Sequence, residues 1–252
     1  MLKVFAANEI LDHDTKFPNF NDPSAELRHA ITILRLAKEA GVQHVVHSSV
    51  LPTQNLPQGD PSHWTAPFRI SKQNIEKAVK ESGIPVWTLL RPGFFMANVV
   101  EGHKLGFQFP GAAETGVFPF VGERGEMYPL VDEKDIAKFV IEAFEKPEVY
   151  GGREIEVASE GLSTGDMVEM LRRVSGRDVR GRWVSEEEVE REEGRMKMTL
   201  VNQLGFKGMN SLVNWEALKG YGVELGTFKA YLEMKKGELD KTYAKVPKLE
   251  EA

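Results

Sequence analysis

Short apolar runs alternate with longer stretches of helical periodicity through most of this chain. The first pattern predicts buried strands and the second amphipathic helices. Residues 3–7 predict a strand, and the polar, irregular stretch 8–21 predicts a loop at its carboxyl end. Asp22-Pro23 predicts a helix start, because Asp accepts from orphan N–H groups and Pro suits the first helical position. Leu27, Ala30, Ile31, Leu34 and Ala37 fall on one helical face, and Gly41 stops it. Residues 42–50 predict a strand around Val45 and Val46. A loop with four prolines follows over 51–67, then a helix over 68–82. Val86 to Leu90, entered through Pro85 and closed by Pro92-Gly93, predicts a buried strand ending in a sharp turn. Helical spacing resumes over 95–105; residues 106–125 are rich in Gly, Phe and Pro; 127–131 predict a strand. Asp132 then caps a helix with apolar face Ile136, Phe139, Val140 and Ala143. Beyond residue 150 come strands over 154–158 and 180–184, a helix starting at Ser163 or Thr164 and stopped by Gly176, an acidic helix over 185–193, and a frayed tail over 241–252. Strands flanked by helices argue for a parallel sheet covered on both faces.

Composition narrows the class. The 252 residues suffice for one large or two small domains with a sizeable core, and 41% hydrophobic with 28% charged residues is ordinary for a globular protein. A net charge of -6 gives no electrostatic footprint for direct nucleic-acid binding. No cysteine is present, which excludes disulfides, thiolate zinc sites and a cysteine nucleophile and fits a reducing compartment. No stretch reaches the roughly 18 apolar residues of a membrane span, and the N-terminus lacks a signal-peptide core. The expected setting is cytoplasmic, with no membrane contact; a nuclear role also fits. His44 and His47 are three apart on a predicted strand and point to opposite faces, with no third ligand nearby, so no metal site is expected. There is no Gly-x-Ser-x-Gly elbow. Gly111 to Gly116 is followed by Val-Phe rather than Lys-Ser/Thr, so it is no P-loop. Gly220, Gly222 and Gly226 have spacing near a dinucleotide fingerprint but follow a predicted helix, which favours a turn.

In parallel α/β sheets ligands bind just outside the carboxyl ends of the strands. Residues 91–98 occupy that place after the 86–90 strand; a strand-to-helix corner that only packs is the competing reading. Ser48 and Ser49 end the preceding strand, where a hydroxyl can orient a substrate carbonyl or a cofactor amide, or satisfy backbone groups. Phe94 and Phe95 either wall a ligand or join the core. Asn98 either hydrogen-bonds a cofactor or caps the turn. Asp132 and Asp135 read as a helix cap and a first-turn acid, not a catalytic pair.

A set of blocks recurs in register: Val-Phe-Ala-Ala-Asn at 4–8, His-Val-Val-His-Ser-Ser at 44–49, Ser-Lys at 71–72, Leu-Arg-Pro-Gly-Phe-Phe-Met-Ala-Asn at 90–98, and Pro-Leu-Val-Asp-Glu-Lys-Asp-Ile-Ala at 129–137. From residue 3 to about 175 the chain resembles the NmrA-like branch of the atypical short-chain dehydrogenase/reductases. That resemblance implies an α/β fold with an NAD(P)-binding, Rossmann-like, doubly wound parallel sheet over 1–150. A smaller, mainly helical part over 151–252 would bind substrate or partner. It places Ala6, Ala7, Asn8, Ser48, Lys72, Pro92, Gly93, Phe94, Phe95 and Asn98 around an NAD or NADP cofactor. Lys72 would donate to the nicotinamide ribose, and Lys72 and Ser49 are the candidate catalytic residues. In the wider superfamily a Tyr four residues before this Lys donates a proton; here that position is Phe68. The family's chain begins with a strand and a Gly-x-x-Gly-x-x-Gly turn, whereas Lys3 to Ala7 matches its fourth strand. An N-terminally truncated chain, about three βα units short, is therefore expected. Some members reduce small molecules; others sense the NADP/NADPH balance and regulate partners, including transcription factors. The first expectation is a dinucleotide-sensing regulator with weak or no catalysis. The alternatives are an NAD(P)H-dependent reductase of a small carbonyl or aromatic compound, with the aromatic-rich segment 106–125 as a wall of the ligand site, and a chain that binds no nucleotide.

Overall fold

The computed structural model describes residues 3–7, 22, 24–51, 66–100 and 102–249, the side chains of 4–7, 66–68 and 103 excepted. Among these residues the strands are β1 (Lys3–Ala7), β2 (His44–Ser48), β3 (Val86–Pro92), β4 (Phe94–Phe95), β5 (Val117–Val121), β6 (Met127–Val131), β7 (Arg153–Val157), β8 (Glu160–Ser163) and β9 (Arg180–Val184). The helices are α1 (Ala25–Glu39), α2 (Ala66–Glu81), α3 (Gly102–Gln108), α4 (Ala112–Thr115), α5 (Glu133–Glu145), α6 (Pro147–Tyr150), α7 (Thr164–Ser175), α8 (Glu186–Arg191), α9 (Gly194–Leu204), α10 (Trp215–Gly220), α11 (Phe228–Met234) and α12 (Lys236–Thr242). By their contacts the residues form two compact units, Met1–Pro92 with Ile136–Val157, and Gly93–Asp135 with Ala158–Ala252. No helix of the described residues is long and apolar enough to cross a membrane.

The first unit is a parallel sheet in the order β1-β2-β3-β7, with every neighbouring pair parallel. Side chains alternate across it. Val45 and Leu89 face α1 and α2 and pack with Ala30, Leu34, Ala37, Ile75 and Val79. His44 and Thr88 face the other way, where the His44 ring meets Phe144 of α5 at 5.3 Å. Helices thus cover both faces of a parallel sheet, as the alternation of periods predicts. Gly41 ends α1 at φ 74°, a conformation that a Cβ would strain. Two details of α1 differ from expectation. Ile31 is 51% exposed, and the buried stripe is Ala25, Glu26, Ala30, Leu34 and Ala37. The helix starts at Ala25, and the Asp22 carboxylate turns to the Ser24 hydroxyl at 2.7 Å and to Arg28 at 2.6 Å. The strand expected to close at Pro92-Gly93 runs through Pro92. Its partner β7 comes from the stretch after residue 150.

His44 supplies a pH dependence. Thr88 Oγ1 donates to the Tyr150 carbonyl at 2.9 Å, so it accepts from His44 Nε2 at 3.0 Å, and the imidazole is neutral with its proton on Nε2. Burial and the nearby Lys3 ammonium push its pKa below the ordinary histidine value. The unfolded chain therefore binds the proton more readily. Stability is full above the unfolded pKa of about 6.5 and falls as the pH drops below it, by at most about 1.4 kcal/mol per pH unit. Chemical denaturation from pH 8 to pH 5 should show this slope, and a His44→Gln variant should lose it. An unchanged slope in that variant would assign the effect elsewhere.

The second unit holds a three-stranded sheet β4-β6-β8, with β4 parallel and β8 antiparallel to β6, and a parallel pair β5-β9. The helix expected over 95–105 is replaced by β4, a 3₁₀ turn over Met96–Val99, and α3. The apolar spacing there serves burial of Met96, Ala97, Val99 and Val100 in a chain too sharply bent for an α-helix. The aromatic stretch 106–125 builds a core instead of a ligand wall. Phe109 lies 5.0 Å from Phe118 and 5.1 Å from Phe120, and Phe120 lies 6.2 Å from Tyr128. The Gly220–Gly226 stretch is a turn, with Gly222 at φ 69°. The expected frayed tail is docked. Tyr243 and Val246 are buried, the Tyr243 hydroxyl donates to the Val99 carbonyl at 2.5 Å, and the Leu249 N–H donates to Gly176 at 3.0 Å. Its apolar residues are too widely spaced to announce themselves, yet Tyr243 enters the aromatic core, its ring 6.2 Å from that of Phe118.

Candidate functional site

The first unit levels its strands at their carboxyl edge. Ala6 pairs with His47 and Ala7 with Ser48 in the β1–β2 register, and Ser48 pairs with Leu90 across β2–β3. The backbone continues this edge past the strands. Ser49 N–H donates to Leu90 at 2.7 Å and Leu51 N–H to Pro92 at 3.0 Å. Ala6, Ala7, Ser48, Ser49 and Pro92 are therefore gathered along one edge. Asn8 and the side chain of Phe68 lie outside the described residues.

In βαβ units the helix N-termini lie at the carboxyl ends of the strands. Lys72 sits in the second turn of α2 and Glu26 in the first turn of α1. Their side chains meet, Lys72 Nζ to Glu26 Oε1 at 2.5 Å, with 19% and 11% of the side chains exposed. In this unit Ser49 Oγ and Ser71 Oγ are buried with no hydrogen-bond partner among the described residues. A buried hydroxyl normally finds a partner, so each is a donor and acceptor available to a ligand. Ser71 adjoins Lys72 in the Ser-Lys block, which by itself gives the serine no role. Ser71 stands four residues before Ile75 and shares the buried face of α2, but a lone serine on an apolar stripe does not reveal in sequence that its hydroxyl lacks a partner.

Arg91 has a different job. Its guanidinium forks onto Glu76 of α2 at 3.1 and 2.7 Å, reaches Glu156 at 3.3 Å, and also binds Glu154, which Lys80 contacts as well. Burial works against its charge, but the hydrogen bonds and charge of Glu76 and Glu154 outweigh it and raise its pKa above the ordinary value. This is a structural ion network holding α2 to β3 and β7.

The remaining candidates belong to the second unit. A Cβ on Gly93 would lie 2.2 Å from the Pro129 carbonyl oxygen, so this glycine admits the close approach of β6. Phe94 is buried among Phe109, Tyr128 and Phe206, with centroids 6.2, 5.3 and 5.8 Å away. Phe95 and Asn98 are half-buried. Asp132 caps α5 by accepting from Lys134 N–H at 2.9 Å. Asp135 accepts from Ser159 Oγ at 2.6 Å and from Gly226 N–H at 2.8 Å, tying the turn before α11 to the start of α5. That tether was not legible, because Ser159 and Gly226 are remote in sequence. Among the described residues no group of three or more His, Asp or Glu could hold a metal ion.

A parallel α/β sheet with helices on both faces and polar groups gathered at its carboxyl edge defines the class of Rossmann-type folds. The chain belongs to the NmrA-like family, whose model matches residues 8–242. It is 27% identical over 158 residues to the NAD(P)H azoreductase of Xenophilus azovorans; that match covers 59% of this chain and 46% of the azoreductase, so the chain spans about half the length of this curated relative. Among solved structures it is similar to the NADPH-dependent quinone oxidoreductase QOR2 of Escherichia coli complexed with NADPH. There the TM-score is 0.65 at 19% identity, over 92% of this chain and 75% of that one. The triphenylmethane reductase of Citrobacter sp. complexed with NADP(H) superposes with a TM-score of 0.65 at 14% identity, over 92% of this chain and 76% of that one. At these identities the structural likeness speaks for the fold.

Proposed function

We propose that this chain binds a nicotinamide dinucleotide, NAD or NADP, at the carboxyl edge of the β1–β2–β3 sheet and reduces a small conjugated acceptor. The observation that carries the reading is the buried Lys72–Glu26 pair together with the unpartnered hydroxyls of Ser49 and Ser71 in the same unit. Lys72 would donate to the nicotinamide ribose hydroxyls. Ser49 and Ser71 would hydrogen-bond the nicotinamide amide or a substrate carbonyl. Ala6, Ala7, Ser48 and Pro92 would line the edge with backbone. Gly93, Phe94, Phe95 and Asn98 follow directly in sequence, and only the family block that they share with Pro92 carries them into the reading. No glycine-rich strand–turn–helix occurs among the described residues, so the reading concerns the nicotinamide-ribose end. The stretch after β7, Ala158–Ala252, is assigned to substrate or partner.

When bound, the dinucleotide supplies a hydride. Quinones, azo compounds and triphenylmethane cations delocalise the electron pair they receive. Their products can take a proton from water, so Phe68 in the place of a tyrosine acid is no obstacle to that class. Reductases of all three classes occur among the similar proteins, which supports the choice of acceptor.

The test is a thermal melt with and without NADPH and NADH, followed by dinucleotide consumption with a quinone, an azo dye and a triphenylmethane dye. A rise in Tm follows from binding to the folded state alone. Lys72→Ala is expected to weaken binding about tenfold, equivalent to roughly 1.4 kcal/mol, and to lower turnover with it. No shift with either nucleotide sinks the proposal. The second reading, a nucleotide-sensing regulator of a partner such as a transcription factor, is favoured by Phe68 alone. It predicts a shift without turnover.

A further inference from the structure

Glu26 lies on an apolar stripe. Residues 26, 30, 34 and 37 share one face of α1, and the other three are Ala30, Leu34 and Ala37, packed against α2 and the sheet. Lys72 is likewise in line with Ile75 and Val79 of α2, which belong to the same cluster. A carboxylate and an ammonium have thus been set at the end of an otherwise apolar contact between two helices. Stability alone does not call for this. Two apolar side chains of similar volume in such places are as stabilising as a buried pair, or more so. Either charge alone is unfavourable there, so the presence of one requires the other.

Resting on the dinucleotide reading above, we propose that Glu26 is the positioning residue of Lys72. A lysine ammonium is a point charge on a flexible four-carbon stem. The Glu26 carboxylate, fixed in the first turn of α1, holds Nζ at 2.5 Å in one place beside the carboxyl edge. The stem is then ordered before the nucleotide arrives, and ribose hydroxyls meet a preorganised donor. Glu26 touches neither cofactor nor substrate; it acts through Lys72.

The experiment compares the full chain, wild type and Glu26→Gln, for binding of the reduced dinucleotide and of an analogue deoxygenated on the nicotinamide ribose. Glu26→Gln is expected to weaken the dinucleotide five- to tenfold, as Lys72→Met does, with little further loss when the two are combined. It is expected to leave the affinity for the deoxygenated analogue unchanged, because the positioned donor then has no hydroxyl to meet. Equal weakening of both ligands would make Glu26 a merely structural residue and overturn the proposal. So would unchanged binding of the dinucleotide. A wild-type chain that binds neither nucleotide overturns the dinucleotide reading itself, and this inference with it, which separates the two failures. Should Glu26→Gln not fold, Glu26→Asp keeps the charge and shortens its reach. It is expected to show a smaller loss with the same dependence on the ribose hydroxyls, and loss without that dependence overturns the proposal equally.

Discussion

Arg91→Met is expected to lower the unfolding free energy by about 3–5 kcal/mol, the cost of leaving a buried charge without its partner. Arg91 and Glu76 are 5% and 6% exposed in their side chains, and the fork between them is bidentate. Glu156, 18% exposed, also loses a contact. Arg91→Lys restores the charge but not the planar fork and should recover only part of the loss. Converting Arg91 and Glu76 together to Met removes both charges and should recover more. Urea melts of the four proteins decide the matter, and a loss below about 1 kcal/mol in Arg91→Met would reduce the network to a surface ion pair. The pH dependence has a definite sign. Burial raises the Glu154 pKa, but the hydrogen bonds from Lys80 and Arg91 outweigh it and hold it below the ordinary value. Its contribution is present above the unfolded pKa of about 4.3 and is lost as the pH falls through the lower folded value. The gap between wild type and Arg91→Met should therefore narrow in acid.

Gly93→Ala is the second large effect. The added methyl would stand 2.2 Å from the Pro129 carbonyl oxygen and 3.1 Å from its carbon, both backbone atoms of β6. No rotamer relieves a clash between two main chains, so β4 and β6 must part, and the register Phe94↔Leu130 and Phe95↔Val131 is lost or shifted. The expected cost is about 3 kcal/mol or more, at the upper end for overpacking. By contrast, Gly102→Ala meets nothing within 4 Å and should be nearly neutral. If both variants melt alike, the close approach of the two strands is not what holds Gly93 in place.

The sequence revealed elements wherever one period dominates locally. β1 and β9, the helix from Ser163 and the helix capped by Asp132 all fall where their residues put them, since cap, stripe and stop act within a few positions. What depends on remote partners was not legible. Met96, Ala97, Val99 and Val100 have helical spacing, yet the chain switches sheets there. The strand over 154–158 was legible, but nothing local announces that its Glu154 and Glu156 reach Arg91 of β3. Phe118 and Phe120 read as a ligand wall because nothing local announces Phe109 and Tyr128 behind them. At the candidate site, Ser48, Ser49 and Lys72 were visible as motif positions. Glu26 was not, because a carboxylate in the first helical turn is explained by the helix dipole until its partner 46 residues away is known.

The parallel sheet of the first unit takes its last strand late. β3 ends at Pro92, and the strand that pairs with it, β7, begins at Arg153, with all of 93–135 belonging to the other unit. On a ribosome, then, β3 emerges with one long edge unmatched, and Arg91 with two of its carboxylates not yet made. A nascent chain cannot close this sheet by local steps, because loop closure across the intervening segment must come first. Residues up to Pro92 expressed alone would carry a buried-type strand as an open edge, a template for pairing with other copies. The chain is continuous, but its first unit is assembled from two separate instalments of it.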